Sequence, residues 1–448
     1  MADLHIPINR DRGAIAGQIA GHLRESIRQG RLEPGTRLPA SRDLAGDLSV
    51  SRGVVVEAYE QLVAEGFLLA KVGAGTVVAP MARREPEPVP ARECAPYYGH
   101  RPTSPDLSGF PRERWLAALK HVLTTVPSDA FDYCDPGGVI ELREELASYL
   151  KRVRAADVSP DNLVIVGGVA QGLSLILHVL RSPRLGVEDP TSHRQVPLLR
   201  RTGAELVPIP VDEEGLDVGA LDGVDTVLVT PAHQYPTGVV LSPARRAALM
   251  EWGGLVLEDD YDAEFRFDRD PVGCLQGLAP DRVILSGSVS KSLAPGLRLG
   301  WLAAPPDLAD AVRRARGEFD LGSPVIEQYA LAHFLRSGGY DRNLRRMRRE
   351  YRRRRDALVR ALAEHLPEVS VRGIEAGLHA YIDLPESWDE REAAAAAEAE
   401  GLSAEPVGPM RFAEGPPAIV VGFARLPAHH APDVVRRLKV RMSGQRKG

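Results

Sequence analysis

The sequence has few cysteines, few aromatic residues and no long apolar run. Its three cysteines, Cys94, Cys134 and Cys274, are scattered without CxxC spacing, which argues against a disulfide framework and a cysteine-based metal site. No apolar run approaches the roughly 18–20 residues of a membrane span, and the first residues carry no apolar signal core. With 44% hydrophobic and 26% charged residues, the 448-residue chain is predicted to be a folded, cytoplasmic protein of two or more domains, without a metal.

Lysine is scarce in the second half of the chain. Lys291 is the only lysine between Lys151 and Lys439, although arginines are plentiful there. Arginine keeps its proton at physiological pH, whereas a partly desolvated lysine can lose it and attack an aldehyde carbon. The surrounding stretch SGSVSKSLAPGLRLGW also offers groups that suit a phosphate, namely Ser288, Ser290 and Arg298. From this stretch alone, a nucleophilic lysine and a solvated loop lysine are equally well supported.

Residues 1–79 are predicted to form a small separate unit. Apolar residues four apart over 15–29 indicate one helix, and Ser41 and Ser51 are placed to cap two more. The third helix is predicted to bury four side chains, those of Val55, Tyr59, Leu62 and Val63. Two short strands around a glycine-rich tip follow. Helix, turn, helix and wing is an arrangement that reads DNA with the first turn of its last helix.

Three arginines lie in or just before these last two helices: Arg37, Arg42 and Arg52. There they can reach phosphates or guanine edges; the alternative is a generic three-helix unit with solvated arginines. The runs PGTRLPASRDLA, VSRGVVVEAYEQLVAEGF and GAGT resemble the winged-helix domain of GntR-type regulators. The resemblance implies that Arg42, Ser51 and Arg52 contact DNA and that Gly73 lies in the wing. Gly53 stands where that family usually has a polar side chain.

The composition changes twice after the first unit. Residues 80–105 are rich in proline and charge and have no periodicity, which predicts an extended linker. From 106 to about 440, strand-like apolar runs alternate with helical segments. This alternation predicts an α/β domain with a mostly parallel sheet and a smaller C-terminal subdomain. Ligands of such sheets bind at the carboxyl ends of the strands.

Four clusters of polar or glycine residues follow strand-like runs in this domain. Gly167–Gly168 precede a predicted helix, where backbone N–H groups attract an anion. TPAHQYPTG follows the run DTVLV, and LVLEDDYDAEFR places acidic residues around Tyr261. A carboxylate and the phenol of this last cluster can bind a ring nitrogen and a ring oxygen. The alternative is a solvated or magnesium-binding loop. The stretch around Lys291 is the fourth cluster. A phosphate cradle, a carboxylate, a phenol and an amine together predict a site for pyridoxal phosphate.

Nearly the whole chain resembles MocR-type regulators, which join a GntR domain to a fold-type I aminotransferase domain. The resemblance rests on YCDPGGVIELREELASYL, VEDP, VTPAHQYPTG, LEDDYDAEFR, SVSK…GLRLGW and EAGLH. It implies that Lys291 is the Schiff-base lysine, that Asp259 pairs with the pyridine nitrogen and that Tyr261 bonds the ring hydroxyl. It also implies further cofactor contacts, from Tyr133 of a neighbouring subunit in a head-to-tail dimer and from Gly168, Val169, Ala170, Ser288, Ser290 and Arg298.

Two arginines are candidates for binding the carboxylate of an effector. Arg194 lies in the loop after VEDP, where related regulators have such an arginine, and Arg411 lies in the C-terminal subdomain. For both, a surface arginine is the alternative. The aromatic residue that usually stacks on the cofactor ring is replaced by Ser192, and the neighbouring His193 is predicted to stack in its place.

The winged-helix signature joined to a site for pyridoxal phosphate predicts a transcription regulator. It is predicted to bind an operator and to sense pyridoxal phosphate, an amino compound, or both, through Lys291. A working aminotransferase is the alternative, because all the catalytic groups are present; a DNA-binding protein that ignores the cofactor is a third possibility. The helix from Arg342 to Arg355 holds nine arginines and is predicted to be a solvated, dimer-flanking helix rather than a second DNA surface.

Overall fold

The computed structural model describes residues 6–71, 75–80, 101–181, 183–267, 272–373 and 375–445. The chain forms two compact units, residues 1–95 and 96–448. Within the described ranges, no helix is both long and apolar enough to cross a membrane.

The first unit has a helical core and a β-hairpin. Its described elements are α1 (Ile15–Arg28), α2 (Ser41–Asp47), α3 (Arg52–Ala64), β1 (Leu68–Lys71) and β2 (Gly75–Val78). The two strands are antiparallel, and Leu68 pairs with Val78. The helices bury their apolar faces against one another and the hairpin, with a core that includes Ile19, Leu23, Leu44, Val55 and Leu62. This is the predicted winged helix-turn-helix.

Two local details of this unit differ from the sequence prediction. Ser41 is the first residue of α2, and Ala40 is its N-cap. Val63 is 37% exposed, and Ala58 is fully buried in its place. The buried positions of α3 are therefore Val55, Ala58, Tyr59 and Leu62, which follow the i, i+3, i+4, i+7 spacing of one helical face. Ser51 is the N-cap of α3 as predicted, without a side-chain hydrogen bond.

An eight-stranded sheet organises the second unit. Its strands are β3 (Leu163–Val166), β4 (Arg184–Asp189), β5 (Glu205–Asp212), β6 (Gly215–Leu216), β7 (Thr226–Val229), β8 (Leu255–Asp259), β9 (Val283–Ser288) and β10 (Gly300–Ala303). Their order is β3-β10-β9-β8-β7-β4-β5-β6. The strands β9, β8, β7, β4 and β5 are parallel to one another. In contrast, β10 is antiparallel to its neighbours β3 and β9, and β6 is antiparallel to β5. The predicted mostly parallel sheet is confirmed.

Helices cover both faces of this sheet. They are α4 (Arg112–Thr125), α5 (Ile140–Arg154), α6 (Val169–Leu180), α7 (Val196–Arg201), α8 (Pro243–Trp252), α9 (Pro306–Phe319), α10 (Val325–Arg336) and α11 (Gly339–His365). All residues of β3 and β9 are buried, which explains the apolar sequence of β3 and the apolar run that begins β9. Because β4, β7, β8 and β9 run parallel, their carboxyl ends meet at one edge of the sheet.

A smaller antiparallel layer closes the second unit. It consists of β11 (Ser370–Arg372), β12 (His379–Asp383), β13 (Ser403–Pro406) and β14 (Ala418–Gly422) in the order β11-β12-β14-β13, with α12 (Glu390–Ala399) and α13 (Ala431–Gln445). It corresponds to the predicted C-terminal subdomain. Of the predicted linker, residues 81–100 lie outside the described residues, whereas 101–105 contact this unit: Arg425 Nε donates to the carbonyl of Pro105 at 2.9 Å.

The arginine-rich helix α11 is only partly the solvated helix predicted from sequence. Arg355 is buried, and its guanidinium lies 5.1 Å from the ring centre of Phe267. Arg348 donates from two nitrogens to the carbonyl of Glu264, and Arg354 is 2.9 Å from Asp106. The long aliphatic stems let arginine pack against apolar surface while its head is paired. One face of α11 therefore joins the core, and the other arginines remain exposed.

Candidate functional site

A cavity of about 460 Å³ lies at the carboxyl edge of the large sheet. The cavity lining includes ten of the residues predicted from sequence: Gly168, Val169, Ala170, Arg194, Asp259, Tyr261, Ser288, Ser290, Lys291 and Arg298. Three residues predicted for the site do not line it, namely Tyr133, Arg411 and His193. Tyr133 is 83% exposed, and Arg411 donates to Tyr381 Oη at 2.9 Å in the C-terminal layer. The contact predicted between Tyr133 and a neighbouring subunit stays a prediction.

Lys291 lies just beyond the end of β9 and is held by a residue from the start of the unit. Its Nζ donates to Thr103 Oγ1 at 3.1 Å. Burial lowers the pKa of the Lys291 ammonium to about 8, against the attraction of Asp262 and Asp259. About a tenth of the side chain is then neutral at pH 7, compared with well under a thousandth for an exposed lysine. The amine is therefore available as a nucleophile.

Asp259 ends β8 and lies deep in the same cavity. Its Oδ2 accepts a hydrogen bond from Gln195 Nε2 at 3.1 Å. Its Oδ1 is buried and has no hydrogen-bond partner among the described residues. Burial raises the pKa of this carboxyl to about 7. An ionised carboxylate here lacks a partner for one oxygen, and a ligand with a cationic N–H donor would supply it.

Tyr261 lies on a buried network that the sequence did not reveal. Its Oη is 3.1 Å from His233 Nδ1, which is also 3.0 Å from Asp262 Oδ2, and His233 Nε2 is 3.2 Å from the carbonyl of Gly373. Burial opposes protonation of His233, but the Asp262 carboxylate outweighs it and raises the pKa of the imidazole. Nδ1 lies within reach of both the Asp262 carboxylate and the Tyr261 hydroxyl, and Nε2 faces a carbonyl. When Nδ1 carries a hydrogen, the Tyr261 hydroxyl is free to donate its own hydrogen to a ligand.

The cavity has one end built for an anion. Gly168 precedes α6 with φ +115°, a conformation that favours glycine, and the amino end of the helix follows it. A Cβ at Gly168 would lie 3.4 Å from Arg298 Nη1, so the bare backbone lets the guanidinium approach closely. Ser288 and Ser290 line the same cavity. Arg298 has no carboxylate partner within the described ranges, which leaves its charge for a bound anion.

The opposite wall comes from the loop after β4 and from the C-terminal layer. Arg194 Nη2 lies 2.7 Å from Glu405 Oε1, and both side chains line the cavity. Ser192 lines it as well, but His193 does not; His193 borders a separate pocket beside α12. The prediction that His193 replaces the stacking aromatic is therefore wrong, because its side chain lies on the far side of the loop. The aromatic residues in the cavity lining are Tyr235 and Tyr261, whose rings meet edge to face.

Sequence reasoning missed several residues of this site, among them Thr103, Gln195, Tyr235 and Glu405. Tyr235 lies within the quoted TPAHQYPTG, so its position after a strand was a usable signal. Thr103 and Glu405 come from opposite ends of the unit and belong to no pattern that points to the cavity. Only the folded chain brings them together.

The first unit presents the residues predicted to contact DNA on its surface. Arg42, Ser51 and Arg52 are exposed at the starts of α2 and α3, and Arg52 Nε lies 3.4 Å from Ser41 Oγ. Arg37 bridges to Val77 of the hairpin, and its guanidinium lies over Gly75. Gly73 lies outside the described residues. A Cβ at Gly53 would meet only Ser51 Oγ, at 3.8 Å, so packing does not demand a glycine there.

Family comparisons agree with this division of the chain. Residues 104–437 match the family "Aminotransferase class I and II", and residues 15–78 match "Bacterial regulatory proteins, gntR family". The chain is 37% identical, over 85% of its length and 86% of the other protein, to the HTH-type pyridoxine biosynthesis transcriptional regulator PdxR of Corynebacterium glutamicum. The chain belongs to the family of MocR-type HTH transcriptional regulators. It is also 30% identical to the probable rhizopine catabolism regulatory protein MocR of Rhizobium meliloti, over 94% of this chain and 91% of that protein.

Solved structures resemble the second unit of this MocR-type chain. An archaeal alanine:glyoxylate aminotransferase superimposes with a TM-score of 0.70 and 29% identity, covering 77% of this chain and 90% of that one. Aminotransferases of classes I and II are pyridoxal phosphate-dependent, and the GntR domain is a DNA-binding module. The predicted MocR-type family and the predicted fold are confirmed.

The ionisation of Asp259 gives a test of the cavity in the cofactor-free protein. Burial raises its pKa from 3.8 to about 7, so the folded state holds a proton that the unfolded state loses above pH 4. The Asp259 contribution to stability is therefore full below pH 4, declines as the pH rises to 7, and is constant above that. Asp259→Asn removes this dependence. We expect the difference in unfolding free energy, wild type minus variant, to fall by about 2–4 kcal/mol between pH 4 and 7.

Urea unfolding at several pH values measures this difference. Glu188 and Glu264 are also buried and have a raised pKa of about 7, but the variant and the wild type share them, so only the part of the Glu188 shift that Asp259 causes enters the difference. Parallel stability curves for wild type and Asp259→Asn would show that Asp259 ionises freely in the folded protein.

Proposed function

We propose that this chain is a transcription regulator whose winged helix binds an operator and whose second unit binds pyridoxal phosphate as its sensor group. The observation that carries the proposal is the unpaired Oδ1 of Asp259, buried in the same cavity as Lys291. A buried carboxylate oxygen without a partner needs a donor, and a pyridinium nitrogen is such a donor. The relative in C. glutamicum is named for pyridoxine biosynthesis, which agrees with such a sensor.

The residues present fit pyridoxal phosphate at each of its functional groups. Pyridoxal phosphate supplies an aldehyde carbon conjugated to a pyridinium ring, which lets it join an amine covalently. Lys291 offers the amine, Asp259 holds the ring nitrogen's proton, and Tyr261 donates to the ring hydroxyl. Arg298, Ser288, Ser290 and the amino end of α6 bind the phosphate, next to Val169 and Ala170. Tyr235 and Tyr261 limit the access of water to the ring.

The partners follow from the same assignment. Arg37, Arg42, Ser51 and Arg52 contact the operator DNA, and a chain that acts on operators works in the cytoplasm. An amino compound or the cofactor itself is the effector, and exchange of the amine at Lys291 biases two arrangements of a head-to-tail homodimer. Tyr133, exposed on each subunit, reaches towards the other subunit's cavity in that dimer.

DNase footprinting with and without pyridoxal phosphate tests the regulatory function. We expect one protected operator upstream of the gene or of its divergent neighbour, and a change in its affinity or extent when the cofactor is added. Sodium borohydride-fixed protein, in which the cofactor is locked to the lysine, should give the cofactor-loaded footprint. An identical footprint under all three conditions would contradict sensing through Lys291.

Catalytic turnover is the second candidate function, because the cavity holds the amine, the carboxylate and the phosphate end together. Steady-state conversion of an amino acid and a keto acid at ordinary enzyme rates, about 1 per second or faster, would support an aminotransferase. A single half-reaction without further turnover supports the regulator.

A further inference from the structure

Arg194 and Glu405 form an ion pair across one wall of the cavity. Arg194 lies between β4 and α7 in the large sheet layer, and Glu405 lies on β13 in the C-terminal layer. The two groups are 2.7 Å apart, and their side chains are 33% and 12% exposed. The carboxylate is thus largely removed from solvent and paired with a guanidinium from another layer. Charge-assisted pairs of this kind are stronger than exposed ones because water screens them less.

The two arginines at the ends of the cavity are in opposite electrostatic states. Arg298 has no carboxylate partner among the described residues and faces the glycine turn before α6. Arg194 is neutralised by Glu405. An anion bound at Arg298 meets no carboxylate of the described residues there, whereas an anion bound at Arg194 lies beside the charge of Glu405. Arg101 and Arg201 also line the cavity.

We infer that Glu405 is a specificity-determining residue that turns the cavity against ligands bearing a carboxylate near their amine. The inference rests on the proposed function, since it concerns the amine that reaches Lys291. A carboxylate that binds the remaining N–H groups of Arg194, of which Nε is buried without a hydrogen-bond partner among the described residues, must share the guanidinium with Glu405 and lie beside that negative charge. A primary amine without a carboxylate leaves the pair intact. The ligand class favoured at this site is therefore a primary amine that lacks an adjacent carboxylate.

The sequence predicts that Arg194 binds the carboxylate of an effector. The ion pair between Arg194 and Glu405 changes that role. The other candidate, Arg411, donates to Tyr381 Oη and does not line the cavity. Beside Arg411, the inner face of the C-terminal layer is apolar, with Val407, Met410 and Val420 buried together. The C-terminal layer thus offers a carboxylate apolar side chains and Glu405, and the arginines of the cavity lining besides Arg298 are Arg101, Arg201 and the paired Arg194.

The test compares two small probes on the full-length protein loaded with pyridoxal phosphate. L-alanine and ethylamine are each titrated while the visible spectrum is recorded, and the ratio of their apparent Kd values is taken. The wild type should not prefer L-alanine. Glu405→Gln keeps the length of the side chain and an oxygen acceptor for Arg194 but removes the charge. It should shift the ratio towards L-alanine by roughly tenfold or more.

Two further variants identify the cause of the shift. Arg194→Met combined with Glu405→Gln should restore the wild-type ratio, because the freed anchor is gone. Glu398→Gln, an exposed glutamate on α12 beside the neighbouring pocket, should leave the ratio unchanged. A wild type that strongly prefers L-alanine, or an unchanged ratio in Glu405→Gln, would overturn the inference.

Calorimetry with propionate separates this inference from the proposed function. Propionate needs no cofactor, so it is titrated into the cofactor-free protein. Tighter binding to Glu405→Gln than to wild type or to the double variant supports the role of Glu405 even if the protein forms no visible complex with pyridoxal phosphate. Equal binding in all three proteins contradicts it, whatever the outcome with the cofactor.

Discussion

Replacing Lys291 with alanine is expected to abolish the visible absorbance of the complex with pyridoxal phosphate and the response of operator binding to the cofactor. The side chain is the only lysine in the cavity lining, and burial lowers the pKa of its amine to about 8. No other lining group can form a reversible covalent bond with an aldehyde at neutral pH, because arginine stays protonated. The cofactor would then be held only by its polar contacts.

The variant Lys291→Arg separates charge from nucleophilicity. It retains a cation near Thr103 and Asp259 but cannot be deprotonated, so it should fold and bind phosphate yet show no visible band. Lys151→Ala, at an exposed position on α5, is the matched control and should behave as wild type. Dialysed protein titrated with pyridoxal phosphate gives the absorbance, and electrophoretic mobility shift gives operator affinity. A full cofactor response in both Lys291 variants would contradict sensing through this amine.

Loss of Arg42 and Arg52 together is expected to reduce operator affinity by at least about 25-fold. Each arginine is exposed at the start of a helix in the first unit, where its guanidinium can reach a phosphate or a guanine edge. Each such contact contributes about 1–3 kcal/mol, or about 5- to 150-fold in affinity. Fluorescence anisotropy with a labelled operator measures the single and double alanine variants.

The salt dependence shows which kind of contact is lost. A phosphate contact lowers the slope of log affinity against log salt by about one and weakens binding to all sequences alike. A base contact leaves the slope unchanged and relaxes the sequence preference. Arg24→Ala is the control, because Arg24 is paired with Glu65 at 2.7 Å and lies away from the starts of α2 and α3. Wild-type affinity in the double variant would place the DNA elsewhere on the protein.

Much of the fold and of the site was predictable from the sequence, and the reasons are local. The buried strand β3 is a continuous apolar run, and β8 and β9 begin with apolar runs, so the polar or glycine residues that follow these runs indicate one edge of the sheet. The sequence therefore predicts that Gly168, Asp259 and Ser288 lie together. The exact helix starts were less certain, because serine at 41 suits both an N-cap and a first-turn position.

The residues that were not predictable are those whose partners are distant in the chain. Glu405 meets Arg194, and Thr103 meets Lys291, across separations of 211 and 188 residues. The predicted position of the His193 side chain is wrong for a related reason. The order of residues in a loop does not determine which of two adjacent side chains turns towards the cavity. Arginines such as Arg355 were expected in solvent, because sequence does not show the carbonyls and rings that receive them.

The contact between Lys291 and Thr103, together with the wall formed by Glu405, has a consequence for biosynthesis. The winged helix has its own core and is complete once the first unit has left the ribosome. The cavity exists only after the chain has been made beyond residue 405, since its walls come from both ends of the second unit. Domains fold in order during translation. A nascent or truncated chain therefore presents a folded winged helix without the finished cavity.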